Sequence, residues 1–130
     1  MTNEVKRIQS FTDLHTWQEG HKLVIATYKM TKTLPADEAF GLRSQMQRAA
    51  VSITSNIAEG FSRGTFADKK HFYHMAKGSL TELQNQLLVA RDVGYISQSE
   101  FSTIAEQSKI ALGLLIGLIR STKEHDRRKP

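Results

Sequence analysis

Apolar residues recur along this chain at three- and four-residue steps, the period of an amphipathic helix, and nowhere do they alternate at any length as on a strand. Residues 45–64 read QMQRAAVSITSNIAEGFSRG, and Met46, Ala49, Ala50, Ile53 and Ile57 make one apolar stripe that closes at Gly60 and Gly64. Asn56 sits inside that stripe. Heptad counting from Leu42 and Ala49 puts its amide on the buried seam, where a polar group is costly unless hydrogen-bonded. The pattern therefore predicts that Asn56 fixes how this helix meets its neighbours.

Upstream, Leu14, Trp17, His21, Val24 and Tyr28 share one face and predict a first helix over residues 13–33. His21 on that face is expected to be partly buried with one nitrogen satisfied. Asp13 suits the positive end of the helix dipole, and Pro35 disfavours helical geometry at Leu34. Pro35 is also placed to open a second helix, with Asp37 and Glu38 in its first turn and Phe40, Leu42, Met46, Ala49, Ile53 and Ile57 facing inward. The run GFSRG at 60–64 reverses the chain.

Thr65 and Asp68 resemble a capping box opening a third helix, whose inner stripe is Phe72, Ala76, Leu80, Leu83, Leu87 and Ala90 and whose end is Gly94. Gly78 costs about 1 kcal/mol relative to alanine in mid-helix, which predicts a close helix approach there. Ser97 or Ser99 caps a fourth helix to about residue 123, with Phe101, Ile104, Ala111, Leu115 and Leu118 on its core side. Ala105, Leu112, Ile116 and Ile119 form a second apolar stripe on that helix. A helix apolar on two sides is buried on both, which predicts self-association with Leu112, Ile116 and Ile119 at the subunit interface.

These elements, each about 30 to 40 Å long at the helical rise, predict an all-α, antiparallel up-down-up-down four-helix bundle over residues 13–123, because short loops make neighbours antiparallel. Residues 1–12 read as an arm, with Phe11 tucked against the bundle, and residues 124–130 as a disordered basic tail. A chain of 130 residues suits one domain with one core. With no cysteine it has no disulfide framework, thiolate nucleophile or cysteine metal site. The N-terminus lacks a secretory signal core and the apolar run at 110–119 is too short to span a membrane, so a cytoplasmic protein with no membrane partner is expected.

Charge adds a candidate function. Eighteen Lys and Arg against 13 Asp and Glu leave a net charge of +5, which favours anionic partners. Lys22, Lys29 and Lys32 on the first helix and Lys70, Lys77 and Arg91 on the third form stripes able to follow a phosphate backbone, with Arg43, Arg48 and Arg63 as further cations. Acids among them, Glu19, Asp68 and Asp92, are equally what an ordinary solvated face contains. Asn56, Glu59 and Glu82 are expected to form a structural polar network between helices. His71 and His74 have i, i+3 spacing but too few companions for a metal site. No nucleophile motif, P-loop, paired-carboxylate signature or dinucleotide glycine pattern is present, so no enzyme activity, metal or cofactor is expected.

The segments FTDLHTWQ (11–18), LPADEAFGLRSQ (34–45), QRAAVSITSNIAEGFSRG (47–64), AKGSLTEL (76–83) and ARDVGYI (90–96) together resemble the bacterial four-helix-bundle proteins first noticed as reading frames in intervening sequences of 23S ribosomal RNA genes. The accessory variability protein of diversity-generating retroelements is similar to this group. The resemblance implies a homopentameric barrel and, for the retroelement branch, binding of nucleic acid and of a reverse transcriptase through a basic surface. Gly20 stands where such proteins often have Ala, Thr54 where they often have Pro, and Met46-Gln47 where they often have Leu-Arg. The combined expectation is an oligomer that binds RNA or DNA without sequence preference. The alternative is a protein-interaction scaffold with no nucleic-acid role.

Overall fold

Two of the four long helices begin at a side-chain cap, after Thr65 and after Ser97, and the other two begin without one. In the computed structural model, which describes residues 7–129, Ser10 and Asp13 form a capping box around a short 3-10 turn, Phe11–Asp13. Helix α1 then runs His15–Thr31. A second 3-10 turn, Ala36–Glu38, follows Pro35, and α2 spans Leu42–Ser62. Thr65 accepts from the Asp68 amide and starts α3, Phe66–Asp92. The Ser97–Glu100 capping box starts α4, Gln98–Arg127. Gly94, at φ 86°, takes the left-handed turn between α3 and α4 that a side chain would resist.

The helices pack in sequence around a square. α2 lies along α3 most extensively, α1 touches α2 and α4, α3 touches α4, and no diagonal pair touches among the described residues. This is the four-helix bundle that the hydrophobic period predicts, with the topology that short connections impose. Its core is made of fully buried Leu23, Met46, Ile53, Ile57, Leu80, Leu83, Leu87 and Leu115, with Tyr73 only 2% exposed. Polar cross-links finish the packing: Thr16 Oγ1 donates to the Leu114 carbonyl at 3.2 Å, and Gln84 Nε2 to Ser108 Oγ at 3.2 Å.

The inner face of α1 differs from the predicted one. Thr16, Gly20, Leu23, Val24, Thr27, Met30 and Thr31 are buried, while His21 and Tyr28 face outward. The threonines bury their methyls because their hydroxyls are satisfied within the helix: Thr27 and Thr31 each donate to the carbonyl four residues back at 2.8 Å. His21 is exposed and stacks on Trp17 at 4.7 Å, and Phe11 meets the edge of Trp17 at 5.4 Å. Trp17 is itself partly buried against the core, so this aromatic cluster sits at the core's margin.

Other boundaries also move. The second helix starts at Leu42 rather than at Pro35, because the Pro35 turn ends at Gly41, whose backbone leaves helical geometry. Phe40, predicted to face the core, is 99% exposed on this connection. α2 continues through Gly60 to Ser62, and Lys69 of α3 donates to the Gly60 and Phe61 carbonyls at 3.3 and 2.7 Å. Those are carbonyls at the helix end that need a partner. α4 continues past residue 123 to Arg127, so most of the predicted tail is helical.

The close helix approaches fall at different glycines from the predicted Gly78, which has nothing within 4 Å of a would-be Cβ. At Gly60 such a carbon would stand 2.6 Å from Tyr73 Cε1, and at Gly20 3.2 Å from Thr54 Cγ2. Gly20 and Thr54 therefore face each other closely across α1 and α2.

Candidate nucleic-acid interface

The cations predicted to contact phosphates divide by what else their side chains do. Arg43 donates from Nη2 to the Leu34 carbonyl at 2.7 Å, so its guanidinium ties down the connection between α1 and α2. Arg63 pairs with Glu59 at 3.5 Å and lies over the Phe72 ring at 4.6 Å. Arg91 pairs with Asp92 at 2.8 Å and lies 4.5 Å over Phe101 of α4, a cation–π contact joining two helices. Lys22 pairs with Glu19 at 2.8 Å, and the hydrogen bond from Lys22 holds that carboxyl below its usual range. The Lys70 ammonium is 6.0 Å from the Phe66 ring centre. Lys29, Lys32, Arg48 and Lys77 have no ion pair among the described residues.

The predicted polar network is not brought together as one unit. Asn56 is half-buried, and its Nδ2 donates to the Ser52 carbonyl at 2.9 Å and to Ser52 Oγ at 3.1 Å. Ser52 Oγ lies 2.8 Å from Ser79 Oγ on α3, so the amide reaches the neighbouring helix through a pair of hydroxyls. Glu59 instead faces Ser62 and Arg63 on the outside of α2, and Glu82 accepts from Gln86 Nε2 at 3.2 Å. Ser52, Ser79 and Gln86 escaped the sequence reading because serine and glutamine are ordinary on helix surfaces. Their signal is positional: Ser79, Glu82 and Gln86 recur at i, i+3 and i+7, one polar face of α3 set against Ser52 and Asn56 of α2.

Over this seam α1, α2 and α3 leave an open groove of about 730 Å³ whose walls include Tyr28, Arg48, Ser52, Ser79 and Glu82. His71 and His74 are both exposed, and among the described residues no cluster of three or more His, Cys, Asp or Glu could hold a metal ion.

On α4, Leu112 and Ile119 are half-buried against the bundle's own core, while Ile116 is 39% exposed. By length and composition α4 could cross a membrane, yet Ile104, Ser108, Ala111 and Leu115 are packed in the bundle and its start is capped beside α3. Only 22% of its most apolar window is buried within the chain.

The fold and its seams have counterparts. A model of the 23S rRNA-intervening sequence protein family matches residues 12–117. The chain belongs to that family. The match takes in α1, α2, α3 and most of α4. A crystal structure of a protein with unknown function from the S23 ribosomal protein family of Bacteroides thetaiotaomicron VPI-5482 superimposes with a TM-score of 0.75. It is 22% identical, over 81% of this chain and 95% of that one, a likeness of fold. No curated protein matches the chain. Beyond the family match, the end of α4 carries Arg120, Lys123 and Arg127, a basic extension of the family domain.

Proposed function

We propose that this 23S rRNA-intervening sequence protein is a non-enzymatic, cytoplasmic oligomer that binds RNA or DNA without sequence preference. The observation that carries the reading is the set of lysines without an acidic partner, Lys29 on α1, Lys32 at its C-terminal cap and Lys77 on α3. Such cations release counterions when they meet phosphates, whereas Arg43, Arg63 and Arg91 are already engaged within the chain. Lys22 and Lys70 supplement them. Self-association repeats each stripe once per subunit and raises affinity by multivalency. The uncovered apolar surface of α4 around Ile116 supports that association, and the family resemblance makes a homopentamer the candidate state. By the same resemblance to the retroelement accessory protein, a reverse transcriptase is a candidate partner.

The test is a polynucleotide titration at several salt concentrations. Non-specific phosphate binding weakens with a log–log slope of about −0.7 to −0.9 per phosphate contacted. Lys29→Ala, Lys32→Ala and Lys77→Ala together should flatten that slope, while Arg43→Ala should leave it unchanged. Absence of binding at low salt to both RNA and DNA removes the reading. The second reading, a protein-interaction scaffold, has its own observation in Phe40, 99% exposed on the α1–α2 connection where an aromatic anchor could enter a partner's pocket.

A further inference from the structure

From the groove over the α2–α3 seam we infer a binding site for a small zwitterion, an α-amino acid or short peptide, held with its carboxylate on Arg48 and its ammonium on Glu82. The two charges line the same groove, yet no ion pair joins them. Arg48 is exposed on α2 and has no acidic partner. Glu82 is held from behind, because Gln86, only 5% exposed, donates its Nε2 to Glu82 Oε1 at 3.2 Å. That bond restrains the carboxylate before any ligand arrives.

The lining of the same groove includes a pair of hydroxyls. Ser52 and Ser79 share one hydrogen bond at 2.8 Å, so one hydroxyl hydrogen of the pair remains to donate elsewhere. Tyr28 walls one side with a phenol that has no hydrogen-bond partner among the described residues, and Ala49 and Val51 supply apolar surface. At about 730 Å³ the groove falls within the size range of small-molecule sites, and its lining is mostly polar, with Gln45 and Gln47 beside Arg48, Ser52, Ser79 and Glu82, which suits a charged, hydrogen-bonding ligand rather than an apolar one.

Charge decides the ligand class. A polyanion such as a nucleotide would gain from Arg48 but would be repelled by the Glu82 carboxylate beside it, and a simple polyamine would meet the reverse conflict. A ligand carrying one charge of each sign satisfies both, and guanidinium–carboxylate pairing is the strong, geometrically specific contact of the two. This site is independent of the polynucleotide reading, which rests on Lys29, Lys32 and Lys77. Loss of either property leaves the other intact.

Calorimetric titration of the full chain with single L-amino acids and with triglycine tests the proposal. Saturable binding is expected for at least one of them, weakened about tenfold or more by Arg48→Ala and by Glu82→Gln, each of which removes one charged contact. N-acetylation or C-terminal amidation of the bound probe should weaken it similarly on the natural chain. That comparison decides the matter even where a variant loses helix content. The proposal is overturned if no probe binds by about 10 mM, a concentration that would detect even millimolar affinity. Equal binding by blocked and unblocked probes overturns it as well. So does an NMR titration in which the amides of Ser52, Ser79 and Glu82 respond to protein concentration and not to probe, since a second copy would then occupy the groove.

Discussion

Gly60 gives the sharpest stability test of this bundle. Replacing a helical glycine by alanine ordinarily stabilises by about 1 kcal/mol. At position 60 the new methyl would lie 2.6 Å from Tyr73 Cε1, 2.8 Å from Tyr73 Cδ1 and 3.2 Å from Phe72 Cβ. Tyr73 is only 2% exposed, so its ring has nowhere to swing. Overpacking of this kind costs about 1 to 3 kcal/mol, and a methyl pressed on a fixed ring belongs near the top of that range. After the gain in helix preference is subtracted, Gly60→Ala should destabilise by about 1 to 2 kcal/mol, a fall of about 3 to 8 °C in Tm.

Urea and thermal melts followed by circular dichroism, at one fixed protein concentration because association shifts apparent stability, measure it. The decisive comparison repeats Gly60→Ala in a Tyr73→Leu background. With the ring gone, the same methyl should change sign and stabilise by up to about 1 kcal/mol. Gly78→Ala, with nothing within 4 Å, should stabilise in the natural chain. An unchanged or raised Tm for Gly60→Ala, or the same effect in both backgrounds, refutes the close approach of α2 to Tyr73.

Three further outcomes follow from the geometry. Leu83→Ala, at a fully buried site, should cost about 2 to 5 kcal/mol in denaturant melts, whereas Ile116→Glu should leave helix content intact and shift the mass measured by light scattering toward the monomer. Similar behaviour of the two variants would mean that Ile116 belongs to the core, as Leu83 does, and not to a subunit interface. Arg43→Ala should destabilise by about 1.5 to 3 kcal/mol, the value of a charged hydrogen bond, because it frees the Leu34 carbonyl. Burial pushes the Tyr73 phenol up to about 12 from an ordinary 10.0. The folded chain then holds that proton where the unfolded chain has released it, so stability is full below pH 10 and falls as pH rises toward 12. Tyr73→Phe should flatten that part of the pH–stability curve, and an equally steep fall in the variant would assign it to other groups.

The stripes of α2, α3 and α4 were legible because Leu, Ile, Met and Ala recur at helical spacing. α1 misled the period for a physical reason: Thr27 and Thr31 are polar by composition but bury their methyls after their hydroxyls bond within the helix, while His21 and Tyr28 lie on the outer side and Trp17 is only partly buried against the core. Phe40 misled it too, since the Pro35 turn and the Gly41 break rotate that side chain into solvent. Among the candidate contacts, the basic residues could be named from the chain. The pairs Arg63–Glu59 and Arg91–Asp92 are local in sequence, but the commitment of Arg43 to Leu34, of Arg63 to Phe72 and of Arg91 to Phe101 depends on how a loop or a second helix lies.

By itself, then, the sequence determined that four amphipathic helices form, that α3 opens at Thr65, and that the four close into an antiparallel bundle. Those outcomes rest on period, capping chemistry and loop length, all of them local. Only the tertiary structure decided that Gly60 and Gly20, and not Gly78, are the glycines pressed against a neighbouring helix. It also joined Asn56 to α3 through Ser52 and Ser79, and placed Arg48 and Glu82 on one groove without an ion pair between them. Each of these depends on the register between two helices, and register is set by how whole faces interlock, a property that no single stretch of chain carries.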